Sequence, residues 1–395
     1  MNYILFDDSR RINLLPLTFL RPVADIRFGI LTIREKWEHY LNATTSSLTE
    51  IYLRTKYPLV TQENNLLING SVCPNPELLQ EILSLQSEQA LVKGDCLIAL
   101  CISGSAVEMS GSKNSKEVEE IATRNEFLEI VNSYDIFSKN ELAIREDFEL
   151  LTRNRNSEPI PDTLQVVAPE NIFIEQGAKI GFASINASSS RVYIGKGAEI
   201  MDGSMIRGSL ALCENAVLKM GTKIYGPTTI GPFCKVGGEV NQSVMFGYSN
   251  KAHDGFLGHS VMAEWCNLGA DSNTSNLKNT YDNVKLWNYP EQTFLDTGLQ
   301  FCGLIMGDHS KCGINTMFNT GTVVGVSANI FGAGFMRNFI PSFSWGGSGG
   351  FTTYDIVKAI KVCENVMKRR GVDFSEVDRD ILNHVFNITF QFRKL

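Results

Sequence analysis

The sequence predicts an α/β domain followed by a left-handed parallel β-helix and a short helical tail. Two observations support this prediction: the glycines are concentrated in one part of the chain, and an aliphatic residue recurs there at every sixth position. Of the 33 glycines, 27 fall between residues 170 and 350. A segment that needs turn residues this often is built from short, regularly spaced strands.

A six-residue repeat dominates the middle of the chain. Its first unbroken aliphatic series is Ile194, Ile200, Ile206, Leu212, Leu218, Ile224, Ile230 and Val236. Neither a helix nor a simple strand has this period, whereas three hexapeptides form one coil of a left-handed β-helix with the aliphatic side chains pointing inward. The span 174–341 is long enough for about nine coils, stacked about 4.8 Å apart. A β-sandwich with regular turns is the alternative, but its strands would alternate with period two.

The repeat also shows interruptions. After a two-residue slip we expect the inward positions to resume at Val244 and to pass Phe256, Met262 and Leu268. An insertion near residues 275–301 then breaks the frame. Its aromatic residues Trp287, Tyr289 and Phe294 should pack on something, and we expect an arm that reaches a neighbouring subunit. The alternative is a surface loop.

The two ends of the chain have different patterns. We expect strands at 3–6, 50–53, 66–69 and 96–102 and helices at 26–40 and 77–85, an alternation that favours an α/β domain with a mainly parallel sheet. After the repeat, 353–371 predicts an amphipathic helix with basic residues in its last turn, and a second helix follows around 376–386. With residues 154–159 as a linker, the predicted domain bounds are 1–153, 160–345 and 351–395.

Composition limits the classes of function. The formal net charge is −7, so the basic surface typical of nucleic-acid binding is not expected. No apolar run approaches the roughly 20 residues that span a bilayer, and the acidic Asp7 and Asp8 follow the first apolar stretch too soon for a signal peptide. The nine cysteines are odd in number and form no Cys-x-x-Cys pair. We therefore expect reduced, mostly buried thiols in a cytoplasmic protein that binds neither nucleic acid nor membrane.

Several segments carry a family resemblance. Residues 6–22, FDDSRRINLLPLTFLRP, open the chain; 250–258 read NKAHDGFLG, and 267–270 read NLGA. Together with the domain order, they resemble a divergent form of the bifunctional N-acetylglucosamine-1-phosphate uridylyltransferase / glucosamine-1-phosphate acetyltransferase family. The last two segments are similar to the family's Lys-Ala-Gly-His stretch and its Asn-Ile-Gly-Ala stretch at the same spacing.

The resemblance implies that His253 is the general base of an acetyl transfer from acetyl-CoA to a sugar amine. Imidazole suits this task because its pKa lies near the working pH. A solvated turn histidine is the alternative interpretation. A zinc site shared with His259 is disfavoured, because two residues six apart occupy corners of adjacent faces; His309 would have to contribute across an interface.

The resemblance also implies a set of ligand contacts in the β-helix. Asn267 and Asn276 would hydrogen-bond the sugar, and the main chain of Ala270 would face the thioester. A basic residue should neutralise the sugar phosphate, and the candidates are Lys251, Lys285 and Lys235. The family's own basic ligands fall on Asn241 and Gly237 here, which leaves that choice open.

In the amino-terminal domain, the resemblance implies binding of a nucleoside triphosphate and Mg²⁺. The family's glycine-rich phosphate loop is replaced by residues 7–11, which contain no glycine, so side chains would have to hold the phosphates. The candidates are Asp7, Arg10, Arg11, Arg21 and Lys36. Asn69 corresponds to the family's magnesium aspartate and Asn140 to a second ligand, while Asp95 is a rival for the first. The alternative for each arginine is an ordinary surface ion pair.

Two functional hypotheses follow. In the first, a homotrimeric bifunctional transferase acetylates glucosamine 1-phosphate with acetyl-CoA and transfers UMP from UTP to give UDP-N-acetylglucosamine. In the second, the amino-terminal domain is an inactive module that binds a nucleotide or sugar, and the β-helix acylates another amino sugar.

Overall fold

The computed structural model describes residues 1–104 and 118–393. The chain divides into two compact units. The amino-terminal unit comprises Met1–Leu14, Arg21–Ile26 and Leu31–Val131, and the solenoid unit comprises Leu15–Leu20, Arg27–Ile30 and Asn132–Leu395. Two short segments of the first thirty residues thus belong with the solenoid unit, whereas the predicted domain bounds stay predictions.

The amino-terminal unit is built on a six-stranded sheet. Its strands, in spatial order, are Ser46–Leu48, Asn2–Phe6, Asn64–Asn69, Cys96–Ser103, Gln89–Lys93 and Glu119–Ala122. The first three are parallel, but Cys96–Ser103 runs antiparallel to both of its neighbours. Gln89–Lys93 and Glu119–Ala122 are again parallel, so three of the five strand pairs in this sheet are parallel, which agrees with the prediction of a mainly parallel sheet. The helices are Ile33–Leu41 and Pro76–Ser84, with 3-10 turns at Ser9–Leu14, Val23–Asp25 and Ile51–Leu53.

One predicted strand of this unit is wrong. The strand expected at 50–53 is a 3-10 turn at Ile51–Leu53, and the strand lies earlier, at Ser46–Leu48. Ile51 is 78% exposed while Leu53 is buried, so the apolar residues of this segment do not share one sheet face. Apolar residues alone therefore do not specify a strand in this segment.

The solenoid unit contains a parallel β-solenoid, which confirms the predicted fold class. The strands of its first sheet are Leu164–Val167, Ala183–Asn186, Met205–Arg207, Lys223–Tyr225, Glu239–Asn241 and Phe256–Gly258. Those of the second are Ile172–Ile174, Val192–Ile194, Leu210–Leu212, Thr228–Ile230, Val244–Met245, Val261–Met262, Leu304–Met306, Thr322–Val324 and Phe339–Ile340. Nine strands in this longest sheet agree with the predicted number of coils.

The third sheet completes the triangular coil. Its strands are Lys179–Ile180, Glu199–Ile200, Val217–Leu218, Lys235–Val236 and Asn250–Lys251. Single bridges from Asn267 to Asn250 and to Lys311 continue it into Lys311–Cys312, Asn329–Ile330, Ser344–Gly347 and Gly350–Thr353. Two further strands, Asn273–Thr274 and Met317–Phe318, pair with each other.

Parallel pairing in register places the predicted aliphatic series in one buried core. Leu218 pairs with Val236, 18 residues later, but Val236 pairs with Lys251, only 15 residues later. This short coil shifts the frame by one residue relative to our prediction. Met245 and Leu257, rather than Val244 and Phe256, join the core cluster.

The insertion forms an antiparallel hairpin of strands Lys285–Asn288 and Thr293–Asp296. Trp287 stacks on Phe339 with ring centroids 4.2 Å apart, and Tyr289 packs edge-on against Phe339 and Phe392. Trp287 and Tyr289 therefore pack on their own chain, which confirms that these aromatic residues are packed; an arm that reaches a neighbouring subunit stays a prediction.

Helices flank the solenoid strands in the sequence. They are Asp135–Ser138, Asn140–Thr152, Ile356–Arg369 and Glu376–Ile388, with 3-10 turns at Pro169–Asn171 and Phe390–Arg393. Within the described residues, no helix combines the length and apolar character needed to cross a membrane. All nine cysteines lie in the described ranges as thiols outside any disulfide, and eight of them are buried.

The corner glycines allow a matched test of the packing. A Cβ on Gly231 would lie 1.9 Å from the carbonyl oxygen of Phe246, whereas a Cβ on Gly313, which also follows an inward residue, would make only ordinary contacts at 3.6 Å or more. Gly231→Ala should lower the free energy of unfolding by about 1–3 kcal/mol through overpacking, and Gly313→Ala should change it little. Chemical denaturation of both variants checks this; equal stabilities would contradict the packing described.

Candidate functional site

His253 lies on a turn at one corner of the solenoid, between the strands Asn250–Lys251 and Phe256–Gly258. The equivalent turns of neighbouring coils stack against this turn. Together they line an open groove of about 590 Å³. The groove is lined by Met201, Lys219, Met220, Gly237, Gly238, Ala252, His253, Asp254, Ala270 and Asp271. The structure thus brings together His253 and Ala270, two of the residues that the resemblance selected.

Glycines let the turn below approach the His253 turn closely. Gly238 has φ +72°, and a Cβ there would lie 2.9 Å from both the Asp254 Cα and the His253 carbonyl oxygen. Gly237 is equally crowded, at 2.5 Å from the Ala252 oxygen. The exposed imidazole therefore sits on a backbone that is tightly packed from beneath.

Lys251 does not point into this groove. Its side chain is only 2% exposed, and its Nζ donates to the carbonyl oxygens of His253 and Asp254, the latter at 3.1 Å. Burial lowers the pKa of Lys251 to about 8. The prediction that Lys251 neutralises a sugar phosphate is thus not supported by its orientation, because the one-residue frame shift turns it inward.

The two predicted sugar-binding asparagines lie elsewhere. Asn267 bridges the third sheet and its backbone N–H donates to Ser310. The amide nitrogen of Asn276 lies 2.8 Å from Nδ1 of His259, on the turn after the strand Phe256–Gly258. Among the described residues, neither asparagine lines the His253 groove.

His259 is held differently from His253. Its ring packs against Phe137 and Phe301, at centroid distances of 5.9 and 5.1 Å. Burial lowers its pKa to about 4, so the imidazole is neutral at physiological pH. Nδ1 accepts the Asn276 amide proton, which leaves the ring proton on Nε2. His253 and His259 occupy successive turns, as their spacing predicted.

Basic residues near the groove include one that sequence reasoning missed. Lys219 lines the groove directly. Lys235 pairs with Asn250, whose side chain accepts a 2.9 Å hydrogen bond from Arg370. Burial, then repulsion by Arg370 and Lys219, lowers the pKa of Lys235. The repeat itself could have identified Lys219. It follows the inward Leu218 as Gly237 follows the inward Val236, so the two residues occupy equivalent positions in successive coils.

Lys285 has another setting. It is exposed on the hairpin, directly across from Asp296, and does not belong to the residues that line the groove.

The amino-terminal unit has its own cleft, of about 690 Å³, beyond the carboxyl end of the strand Asn2–Phe6. Its lining residues are Phe6, Asp7, Asp8, Ser9, Arg11, Leu48, Thr49, Glu50, Ile51, Arg54, Leu67, Leu97 and Leu100. This is the edge where parallel sheets bind ligands, and Asp7 and Arg11 are brought together there as predicted.

The predicted phosphate ligands of this unit are already paired. Arg10 donates to Asp8 at 2.6 Å, Glu129 at 2.8 Å and Ser71 at 3.2 Å. Arg11 donates to Asp7 at 2.8 Å, and burial raises the pKa of the Asp7 carboxyl despite that arginine.

Arg21 and Lys36 do not offer an exposed charge either. Arg21 is 5% and Lys36 4% exposed, and the Arg21 carbonyl oxygen accepts a hydrogen bond from Arg11. Phosphate binding by the predicted basic set would therefore require several internal bonds to be exchanged.

The predicted Mg²⁺ ligands do not fit a metal site. The Asn69 oxygen accepts bonds from the N–H and hydroxyl of Ser71, and its nitrogen donates to Asp8 and Leu97, each at 2.9 Å. Asn140 lies in the other unit, fully buried, where its oxygen accepts from Gly29 and Thr229. Each amide oxygen already accepts two hydrogen bonds, so neither side chain offers a free lone pair to a metal ion.

Comparisons with known proteins give a family for the first part of the chain. Residues 3–156 match the family model described as sugar nucleotidyl transferase. A bifunctional sugar-1-phosphate nucleotidylyltransferase/acetyltransferase of Sulfurisphaera tokodaii is 24% identical over 223 residues, which cover 51% of this chain and 53% of that protein. The bifunctional protein GlmU of Synechococcus elongatus is 22% identical over 236 residues, which cover 54% and 48%. The chain thus spans about half the length of the curated relatives it matches.

One solved structure shows a weak overall similarity to this chain. LpxA, a UDP-N-acetylglucosamine acyltransferase from Bacteroides fragilis 9343, is 16% identical and covers 59% of this chain and 85% of that chain, with a TM-score of 0.25. A likeness this weak carries no weight for activity.

The chain therefore consists of a nucleotidyltransferase domain followed by a parallel β-solenoid. The named relatives fit the resemblance identified from the sequence, to a divergent form of the bifunctional uridylyltransferase / acetyltransferase family.

Asn69 offers a direct test of the metal prediction. In Asn69→Asp, the amide that donates to Asp8 becomes a carboxylate that repels it, so the free energy of unfolding should fall by about 1–3 kcal/mol at neutral pH. Thermal unfolding with and without 5 mM MgCl₂ measures this. A Mg²⁺-dependent rise in Tm that occurs in the wild type but not in Asn69→Leu would show that Asn69 is a metal ligand after all.

Proposed function

We propose that this protein is a bifunctional transferase of sugar-nucleotide biosynthesis. Its solenoid acetylates glucosamine 1-phosphate with acetyl-CoA, and its amino-terminal domain transfers UMP from UTP to the product to give UDP-N-acetylglucosamine. The observation that supports it best is the groove in which His253, Ala270 and Lys219 meet. The nine cysteine thiols fit work in a reducing compartment such as the cytoplasm.

The acetyl transfer assigns a task to each of these residues. The sugar amine attacks the thioester carbonyl, the new C–N bond forms, and His253 takes the proton that the amine loses. The C–S bond breaks and the coenzyme leaves as the thiol. In this proposal the Ala270 main chain faces the thioester. Lys219, which lines the groove, meets the sugar phosphate in place of Lys251 or Lys285.

Open stacked corners suit a shared site. The groove lies open on the solenoid surface, so a neighbouring subunit could cover bound acetyl-CoA. We therefore retain a homotrimer as part of the proposal, with the asparagines Asn267 and Asn276 as candidates to contact sugar in the assembled site.

A second function for the amino-terminal domain is favoured by one observation. The side chains expected to bind phosphates and Mg²⁺ are hydrogen-bonded to one another instead. In this alternative the domain is a catalytically inactive module that binds a nucleotide or sugar in the 690 Å³ cleft, and the solenoid acylates another amino sugar.

The acetyl transfer is tested by thiol release from acetyl-CoA with glucosamine 1-phosphate. Loss of a general base should lower kcat about 10²- to 10⁴-fold in His253→Ala. His39→Ala, which removes an exposed histidine of the amino-terminal unit, is the matched control and should leave kcat unchanged. Equal turnover in the wild type and His253→Ala would refute the role of His253.

In the same assay, Lys219→Met should raise KM for the sugar phosphate about 10-fold without changing KM for acetyl-CoA.

The nucleotidyl transfer is tested by pyrophosphate release. With UTP, N-acetylglucosamine 1-phosphate and MgCl₂ at saturation, the bifunctional proposal expects sustained pyrophosphate production, because the sugar phosphate displaces pyrophosphate from UTP. A preparation active in thiol release that produces no pyrophosphate would refute nucleotidyl transfer and favour a catalytically inactive amino-terminal domain.

A further inference from the structure

Lys251 occupies a position that the fold otherwise gives to aliphatic residues. In the third sheet of the solenoid, Ile200, Leu218 and Val236 pair in succession and all three belong to the core. Lys251 is the next member of this column, paired with Val236 and only 2% exposed. An aliphatic side chain would fit the column without the cost of desolvating a charge, so the ammonium group calls for an explanation.

The ammonium group bonds the backbone of one turn. Nζ donates to the carbonyl oxygens of His253 and Asp254. Hydrogen bonds from a charged donor are about twice as strong as neutral ones. The turn is therefore fixed from inside the solenoid by Lys251 and from the coil below by Gly238, whose missing Cβ permits close approach to the His253 oxygen.

We propose that Lys251 is a positioning residue for His253, with its buried ammonium holding the turn so that the imidazole is presented to the groove. This rests on the proposed function of His253 as the general base. Lys251 would touch neither sugar nor coenzyme; it would act through the turn carbonyls alone.

The electrostatic surroundings are consistent with this role. Burial lowers the pKa of Lys251 to about 8, against the opposing influence of Asp254, Asp271 and Cys312. The amine thus loses its charge, and part of its hold on the turn, within an accessible pH range. Wild-type kcat should consequently show an alkaline decline near pH 8 that a variant without the amine lacks.

Lys251→Met gives the main test, because methionine fills the column and carries no donor. We expect it to fold with an unchanged or higher Tm, to lose about 10- to 100-fold in kcat, to keep KM for acetyl-CoA within about twofold, and to lack the alkaline decline. Lys251→Gln, which keeps N–H donors without the charge, should be intermediate. Lys179→Met, at an exposed lysine of the same sheet, is the control and should match the wild type.

Hydrogen exchange tests the positioning independently of turnover. The amides of residues 252–256 should exchange about 10-fold faster in Lys251→Met than in the wild type, while those of 210–230 should not change. Faster exchange in a protein whose wild type releases no thiol would refute the proposed function but retain the anchoring role. The inference would be overturned if Lys251→Met had the same kcat and the same exchange rates as the wild type. It would also be overturned if kcat of Lys251→Met declined at alkaline pH as it does in the wild type. If Lys251→Met does not fold, two results together would overturn the inference: a kcat of Lys251→Gln equal to that of the wild type, and a wild-type kcat that does not decline at alkaline pH.

Discussion

The in-register parallel ladder of the solenoid is the constraint on which the rest of this unit depends. Each coil places its inward side chains directly over those of the coil below, at a spacing of about 4.8 Å. The same register stacks the turns of successive coils at one corner. The groove beside His253 is a consequence, since its lining residues come from turns that are far apart in sequence but adjacent along the ladder.

In this architecture, the number of residues in a coil determines which side chains point inward. Where 18 residues separate Leu218 from Val236, only 15 separate Val236 from Lys251. The shortened coil changes which residue of a pair points inward, and it does so next to His253. A lysine that would otherwise have been an outward cation becomes a buried donor, and the outward basic charge at the groove is left to Lys219.

The amino-terminal unit follows a different logic, in which charged side chains satisfy one another. Arg10 with Asp8 and Glu129, and Arg11 with Asp7, form compact pairs at the edge of the sheet where a ligand would bind. Such pairs fix local geometry, but each must be broken before its arginine can meet a phosphate. A phosphate ligand in this cleft would therefore have to compete with the internal pairing of the arginines.

The solenoid could be predicted from the sequence because its signal is local and repeated: a six-residue period in residues such as Ile194 and Ile200 has few other structural explanations. His253 and Ala270 were found together because short motifs at a fixed spacing specify adjacent turns. The direction of Lys251, the pairing of Asn276 with His259 and the saturation of Asn69 were decided only by tertiary structure. A one-residue change of frame reverses the direction of a side chain. The sequence shows which groups a side chain can hydrogen-bond, but only the tertiary structure decides which of these partners lies within reach.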